Sequence, residues 1–130
     1  MDSGGIRRRL ALGAAVLAAS GALAFVASGT AQADAGNSCA GREVRTLPFD
    51  TGVTHIYNSN GYICAMTVAR RAGTAQSMSV SVQARGNRPV VDQGTYRYQA
   101  GPVTVHAGHR CVWIKGSVGR GSVSSGWILC

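Results

Sequence analysis

Few residues of this chain have the types and spacing that catalysis requires. After residue 35 the sequence holds three carboxylates, Glu43, Asp50 and Asp92, together with three histidines and many serines. A hydrolytic triad needs a serine, a histidine and a carboxylate held together, and glycoside hydrolysis needs two acids across a cleft. No G-x-S-x-G motif occurs, and the three acids lie on or near predicted turns, as solvated loop carboxylates do. We therefore predict a protein that is not an enzyme and has no catalytic residues.

The histidines and cysteines lack the spacing of metal ligands. His106 and His109 are three residues apart, which brings side chains together on a helix but not on a strand followed by a turn. Zinc sites use closely spaced cysteine or histidine pairs, and no two cysteines here are close in sequence. A site formed by both histidines with His55 is the remaining alternative. We expect no bound metal and no cofactor.

The four cysteines predict a disulfide framework instead. Cys39, Cys64, Cys111 and Cys130 are even in number and all follow the apolar N-terminal segment, as expected for an oxidising compartment. Three connectivities are possible. We favour Cys39 with Cys64 and Cys111 with Cys130, because hairpin-like connections would already bring each of these pairs close together.

The N-terminal segment resembles a secretory signal peptide. Three arginines at 7–9 precede residues 10–27, which carry no charge and are mostly Ala, Leu, Gly and Val. Small residues at 33 and 35 suit a cleavage site, and a second such site lies at 31–33. A retained membrane anchor is the alternative, but alanine and glycine are poor residues for spanning a bilayer. We predict a signal peptide at 1–35 and a secreted single domain at 36–130, with no membrane span in the mature protein.

The sequence pattern predicts β-structure throughout the mature chain. Residues 78–85 alternate apolar and polar without a fault, which predicts a strand with one buried face. Asn60–Gly61 separates two β-prone runs at 53–57 and 62–70, as in a tight hairpin. Further strands are predicted at 95–99, at 103–106 after Pro102, and in a last hairpin of 111–118 and 123–130. We predict an all-β fold, a small antiparallel sandwich or barrel of about seven or eight short strands.

The pattern also selects candidate core residues. Trp113 and Trp127 are expected beside the last disulfide. The remaining candidates are apolar residues on one face of each predicted strand, namely Ile56, Met66, Val68, Met78, Val80, Val82, Tyr98, Val103, Val105, Val112, Ile114 and Ile128.

Positive charge is the most prominent surface feature of the mature chain. Ten basic residues stand against the three carboxylates, so residues 36–130 carry a net charge of +7. An exported basic protein meets anionic cell-wall polymers, lipid head groups or matrix first, so we do not expect specific nucleic-acid recognition. The alternative is that these charges only maintain solubility and protect strand edges. The candidate anion-binding residues are Arg70, Arg71, Arg85, Arg88, Arg110, Lys115 and Arg120.

Several segments together resemble a known family. They are GVTHIYN at 52–58, YICAMTV at 62–68, GTA at 73–75, DQGTYRYQAGPV at 92–103 and HRCVW at 109–113. These are similar to the spore-associated protein A type of small secreted protein from spore-forming filamentous actinobacteria. The resemblance implies a secreted protein associated with spores or aerial growth and no established enzymatic activity. The cysteines are the only residues of the family that the resemblance assigns to individual positions of this chain. This chain departs from the family in its basic charge and in lacking a glycine pair closely after Trp113.

These observations support three hypotheses about function. The first is a secreted, non-enzymatic protein associated with a spore or cell surface. The second is a cationic module, of the antimicrobial kind, that binds anionic cell-wall polymers or membranes. The third is a secreted protease inhibitor presenting the loop at 86–89. The sequence leaves the ligand, the oligomeric state and the export pathway open.

Overall fold

The computed structural model describes residues 38–130, which form eight antiparallel strands and no helix. The predicted signal peptide at 1–35 lies outside the described residues. Within the described range, no helix has the length and hydropathy to cross a bilayer. The strands are β1 (Arg42–Phe49), β2 (Gly52–Ser59), β3 (Tyr62–Ala69), β4 (Gln76–Ala84), β5 (Val90–Tyr96), β6 (Gln99–His106), β7 (Val112–Val118) and β8 (Gly121–Ile128).

The strands form two four-stranded sheets that enclose one hydrophobic core. The first sheet has the order β1-β2-β3-β6 and the second has the order β5-β4-β7-β8. Buried residues of both sheets belong to one cluster, so the sheets pack face to face as a sandwich. The predicted all-β fold is confirmed, and of the two predicted architectures the structure has the sandwich.

Strand β4 shows how the sequence produces this packing. Met78, Val80 and Val82 alternate with serines and are almost completely buried. Because successive side chains of a strand point to opposite faces, the serines lie on the outer face of the second sheet. Burying such a row of apolar side chains contributes about 25 cal/mol for each Å² removed from water.

Most of the predicted core is confirmed. Seven of its members are buried, namely Ile56, Met78, Val80, Val82, Val103, Val112 and Ile114, while Val105 and Ile128 pack against the core from partly buried positions. Tyr98 was expected inside but is 61% exposed, because it lies in the turn between β5 and β6. Met66 and Val68 are only half-buried and do not belong to the core cluster, because the inward positions of β3 belong to Ile63, Ala65, Thr67 and Ala69.

The β2–β3 hairpin has the predicted turn. Asn60 and Gly61 both have positive φ, at 52° and 86°, and Ser59 pairs with Tyr62 across the turn. Asparagine and glycine adopt this left-handed conformation more readily than other residues, so the local sequence determines the register of the hairpin.

Two strands were not predicted. β1 is an edge strand of the first sheet. It carries Arg42, Glu43 and Arg45, and these charged residues interrupt the alternation of apolar and polar residues that would predict a strand. β5 ends at Tyr96, so the predicted strand at 95–99 is divided by a turn at 97–98. The second edge of the first sheet is β6, which contains Pro102 as expected for an edge position.

Asp92 connects the two sheets. Its carboxylate accepts one hydrogen bond from the Tyr96 hydroxyl at 2.6 Å and another from the Gly101 amide of β6 at 2.7 Å. The bond to Asp92 raises the pKa of Tyr96. The prediction of a solvated loop carboxylate is therefore wrong for Asp92, which is half-buried within β5. Glu43 is exposed as predicted but lies in strand β1, not in a loop.

Among the described residues, one side-chain hydrogen bond is fully buried in the core. Thr54 and Thr67 are fully buried and share a hydrogen bond of 2.8 Å between their hydroxyl oxygens. Both hydroxyls lie where a Cβ at Gly116 would be, so this position of β7 has no room for a side chain. A buried hydroxyl without a partner is costly, and the mutual bond avoids that cost.

Candidate polyanion-binding ends

The eight strands bring their turns together at two opposite ends of the sandwich. One end holds the β2–β3, β4–β5 and β6–β7 connections together with both disulfides, and we call it the disulfide end. The opposite end holds the β1–β2, β3–β4, β5–β6 and β7–β8 connections.

The cysteines pair as predicted. Cys39 is bonded to Cys64, with 5.7 Å between their Cα atoms, and Cys111 to Cys130, with 4.0 Å. The first bridge ties the segment before β1 to β3, and the second ties the end of the chain to the start of β7. Both lie near the turns of the disulfide end.

Three of the predicted anion-binding arginines lie at the disulfide end. Arg85 and Arg88 belong to the β4–β5 turn, and Arg110 belongs to the β6–β7 connection. The Arg110 guanidinium donates to three backbone carbonyls, those of His106 at 2.8 Å, Ala107 at 3.1 Å and Arg85 at 3.4 Å. These contacts position the Arg110 guanidinium without neutralising its charge.

The two tryptophans lie next to this end. Their rings meet edge to face at a centroid distance of 5.3 Å, and Arg85 lies over Trp127 at 5.2 Å. Arg85 also reaches the Cys111 sulfur at 3.9 Å, so it lies between Trp127 and the last disulfide. Cation–π contacts of this kind hold a guanidinium in place while leaving it charged.

Three further predicted arginines lie at the opposite end. Arg70 and Arg71 follow β3, and Arg120 lies in the β7–β8 turn. Arg70 Nε donates to the carbonyls of Phe49 and Asp50, both at 3.1 Å. Arg97, which was not among the predicted anion-binding residues, lies here too and donates to the Gly73 carbonyl at 2.9 Å. Its position could not be read from sequence, because the β5–β6 turn was predicted as strand.

Lys115 stands apart from both groups. It lies on the outer face of the second sheet, where it pairs with Ser81 of β4 and Ser124 of β8. The seven predicted residues therefore do not form one surface. They form two arginine groups at opposite ends and one isolated lysine between them.

The arginine groups are not neutralised by acidic side chains. Among residues 38–130 the structure contains one close contact between a basic and an acidic side chain, His55 Nδ1 to Glu43 Oε2 at 2.6 Å, and it involves neither arginine nor lysine. Hydrogen bonds from His55 and Thr46 lower the pKa of Glu43. Asp50 lines a hollow with Arg70 and Arg71 without forming a salt bridge to either. The field of both ends is therefore positive.

A polar hollow of about 410 Å³ lies at the disulfide end beside Arg110. Asn58, Asn60, His106 and His109 contribute its side chains, from two connections far apart in sequence. His106 also packs on Tyr62, with ring centroids 4.7 Å apart. Amide and imidazole nitrogens can donate hydrogen bonds to an anion. Within the described part of the chain, no three His, Cys, Asp or Glu residues are grouped as metal ligands.

Comparisons with known proteins yield no relative. No family model matches the chain, and neither curated proteins nor solved structures match it significantly. The resemblance to the spore-associated protein A type therefore stays a prediction.

The β4–β5 turn is the segment that an inhibitor would present. It is exposed from Arg85 to Pro89, and it closes tightly through a bond of 2.9 Å from the Asn87 amide to the Ala84 carbonyl. Gln83 Nε2 braces it by donating to the Asn87 carbonyl at 2.9 Å. Such a tight turn offers little extended backbone to a protease. The inhibitor hypothesis stays a prediction and has less support than anion binding.

Proposed function

We propose that this chain is a secreted, non-enzymatic protein of a spore or cell surface, held there by anionic polymers of the envelope. The observation that carries the proposal is the placement of arginines at both ends of the sandwich without a carboxylate partner. The disulfides agree with an oxidising compartment outside the cytoplasm.

The arginines are suited to bind phosphate or carboxylate groups. A guanidinium presents several N–H donors in a fixed plane and pairs with such groups through two parallel hydrogen bonds. In Arg110 and Arg70, carbonyl contacts hold part of the guanidinium, so less conformational entropy is lost when an anion binds.

Two separate ends can engage two polymer strands, or two stretches of one strand. Each contact alone is weak and screened by salt, since the Debye length is about 8 Å at physiological ionic strength. Simultaneous contacts raise the effective affinity by about a hundredfold or more. A small protein of this kind would be retained on a repetitive anionic surface without any enzymatic step.

Sedimentation with purified cell walls tests the proposal. The mature protein should pellet with walls at low salt and be released as salt rises, because exposed charges are screened. Removing two arginines of one end, as Arg85→Gln/Arg88→Gln or as Arg71→Gln/Arg120→Gln, should lower retention by about tenfold, and combining both pairs should lower it further.

The matched control changes charge away from both ends. Arg45→Glu lowers the net charge by the same two units within the edge strand β1, where Arg45 pairs with Ile56. If this control lowers retention as much as either end variant, net charge alone is responsible and the two-end proposal is wrong. Finding the native protein only in the culture medium, with none on washed spores or walls, would rule out surface association.

A further inference from the structure

The outer face of the second sheet contains a shallow hollow of about 250 Å³, which reaches Pro89 of the β4–β5 turn but is lined by no arginine. Its floor is made of small and polar side chains, because the outward positions of β4 are mostly serines. Val91 of β5, which is 49% exposed, borders it on one side, and Trp113 of β7 borders it on the other.

Three polar side chains of this hollow have no partner among the described residues. Ser81 lies on β4, opposite Lys115 of β7 in the sheet register, and Gln93 lies on β5. No side-chain hydrogen bond or ion pair within residues 38–130 engages Ser81, Gln93 or Lys115. By contrast, Ser79, which also lines the hollow, forms a hydrogen bond of 2.6 Å with the Ser117 hydroxyl.

The indole of Trp113 is held in a defined position. Its Nε1 donates to Ser124 Oγ at 2.7 Å, and its ring contacts Trp127 at an interplanar angle of 87°. The hollow therefore combines a fixed aromatic ring with hydroxyl, amide and ammonium groups. None of the carboxylates in the described residues lines it.

We propose that this hollow binds an acidic glycan. The C–H surface of a sugar ring packs on an indole by dispersion, and sugar hydroxyls exchange hydrogen bonds with Ser81 and Gln93. Lys115 supplies the positive charge for a carboxylate carried by the sugar. A polyanion without sugar rings would use the lysine alone and gain nothing from Trp113. This site adjoins the disulfide end, but none of the arginines of the proposed function lines it.

The indole N–H signals of the two tryptophans in an NMR spectrum test the proposal on the intact mature protein. Short oligogalacturonates serve as the acidic glycan, cellohexaose as an uncharged glycan, and polyphosphate as an anion without sugar rings. A Trp113→Phe variant assigns the two indole signals. We expect oligogalacturonate to shift the Trp113 signal in a saturable manner and cellohexaose to shift it less. Polyphosphate, bound at Arg85, should shift the Trp127 signal more than the Trp113 signal.

Two variants and a control locate the binding site. Lys115→Gln keeps an exposed polar side chain and should weaken oligogalacturonate binding by about fivefold, the upper end for one exposed ion pair. Ser81→Asp places a negative charge opposite Lys115 and should weaken it further. Arg45→Gln removes one charge of the edge strand β1, outside the hollow and both arginine ends, and should leave the Trp113 response almost unchanged.

Different results overturn the two proposals. Equal weakening of the Trp113 response by Lys115→Gln and Arg45→Gln, or an equal Trp113 shift with polyphosphate, would overturn the glycan site. Loss of wall retention in Arg71→Gln/Arg120→Gln with an unchanged Trp113 response to oligogalacturonate would support the proposed function and the glycan site together. A native protein that binds oligogalacturonate but does not pellet with walls would contradict the proposed function alone.

Discussion

The two ends of the sandwich carry the same kind of charge but are built differently. The disulfide end is closed by two covalent bridges. The opposite end is closed by hydrogen bonds, among them Thr51 Oγ1 to the Val118 carbonyl at 2.6 Å and the Gly119 amide to the Ser77 carbonyl at 2.8 Å. An exposed arginine group therefore does not require a disulfide, because backbone and hydroxyl contacts can position the turns that carry it.

Removing a disulfide should have the largest effect. Replacing Cys111 and Cys130 by alanine opens a loop with a sequence separation of 19 residues, and replacing Cys39 and Cys64 opens one of 25. Each double variant should lose about 3 kcal/mol of unfolding free energy, because the unfolded chain gains conformational freedom. Urea unfolding followed by tryptophan fluorescence measures this loss. Faster hydrogen exchange at the disulfide end alone, with an unchanged free energy of unfolding, would contradict the expectation.

Adding a methyl group at Gly116 should have the next largest effect. Gly116→Ala places a Cβ against the hydroxyls of Thr54 and Thr67, and overpacking of this kind costs about 2 kcal/mol. The destabilised contact lies in the core between the two ends, so the rate of amide hydrogen exchange should increase at both ends. The double variant Gly116→Ala/Thr54→Ala should recover part of the stability because it removes one clashing hydroxyl. No recovery would mean that the clash lies elsewhere.

Breaking the Asp92 contacts should distinguish the ends. Asp92→Ala removes the acceptor of both Tyr96 and Gly101 and should cost about 2 kcal/mol, since hydrogen bonds to charged groups contribute more than neutral ones. Tyr96→Phe removes one of these bonds and should cost less. Hydrogen exchange should increase at β5 and β6 before the turns of the disulfide end. Uniform loss of protection in both regions would show that the ends are not independent.

The Glu43–His55 pair should have the smallest effect. The pKa of Glu43 is lowered in the folded state, so the pair stabilises the protein above pH 4.5, and this stabilisation is lost as pH falls through the folded pKa. In Glu43→Gln, the unfolding free energy should therefore fall less below pH 4.5 than it does in the native protein. Thr46→Val should change the pH profile in the same direction but by a smaller amount. Thermal unfolding between pH 3 and 6 measures both. An unchanged pH profile in Glu43→Gln would show that the pair contributes nothing.

Local patterns predicted the elements that depend on neighbouring residues. The alternation around Met78 and Val80 indicates a half-buried strand, and Asn60–Gly61 indicates a tight turn, because both are properties of a few consecutive residues. β1 was missed because edge strands tolerate charges such as Arg42 and Arg45 that obscure the alternation. Asp92 was misjudged because its partner Gly101 lies on a strand of the other sheet, which no local pattern reports.

The sequence by itself indicated that residues 38–130 form sheet, pair their cysteines and carry excess positive charge, because alternation, cysteine spacing and composition are local or additive properties. Only the tertiary structure decided where those charges lie. The antiparallel connections divide the arginines between two ends and place Lys115 beside Trp113 on a face between them. This arrangement depends on which turns meet in space, and strand pairing over long sequence separations sets it.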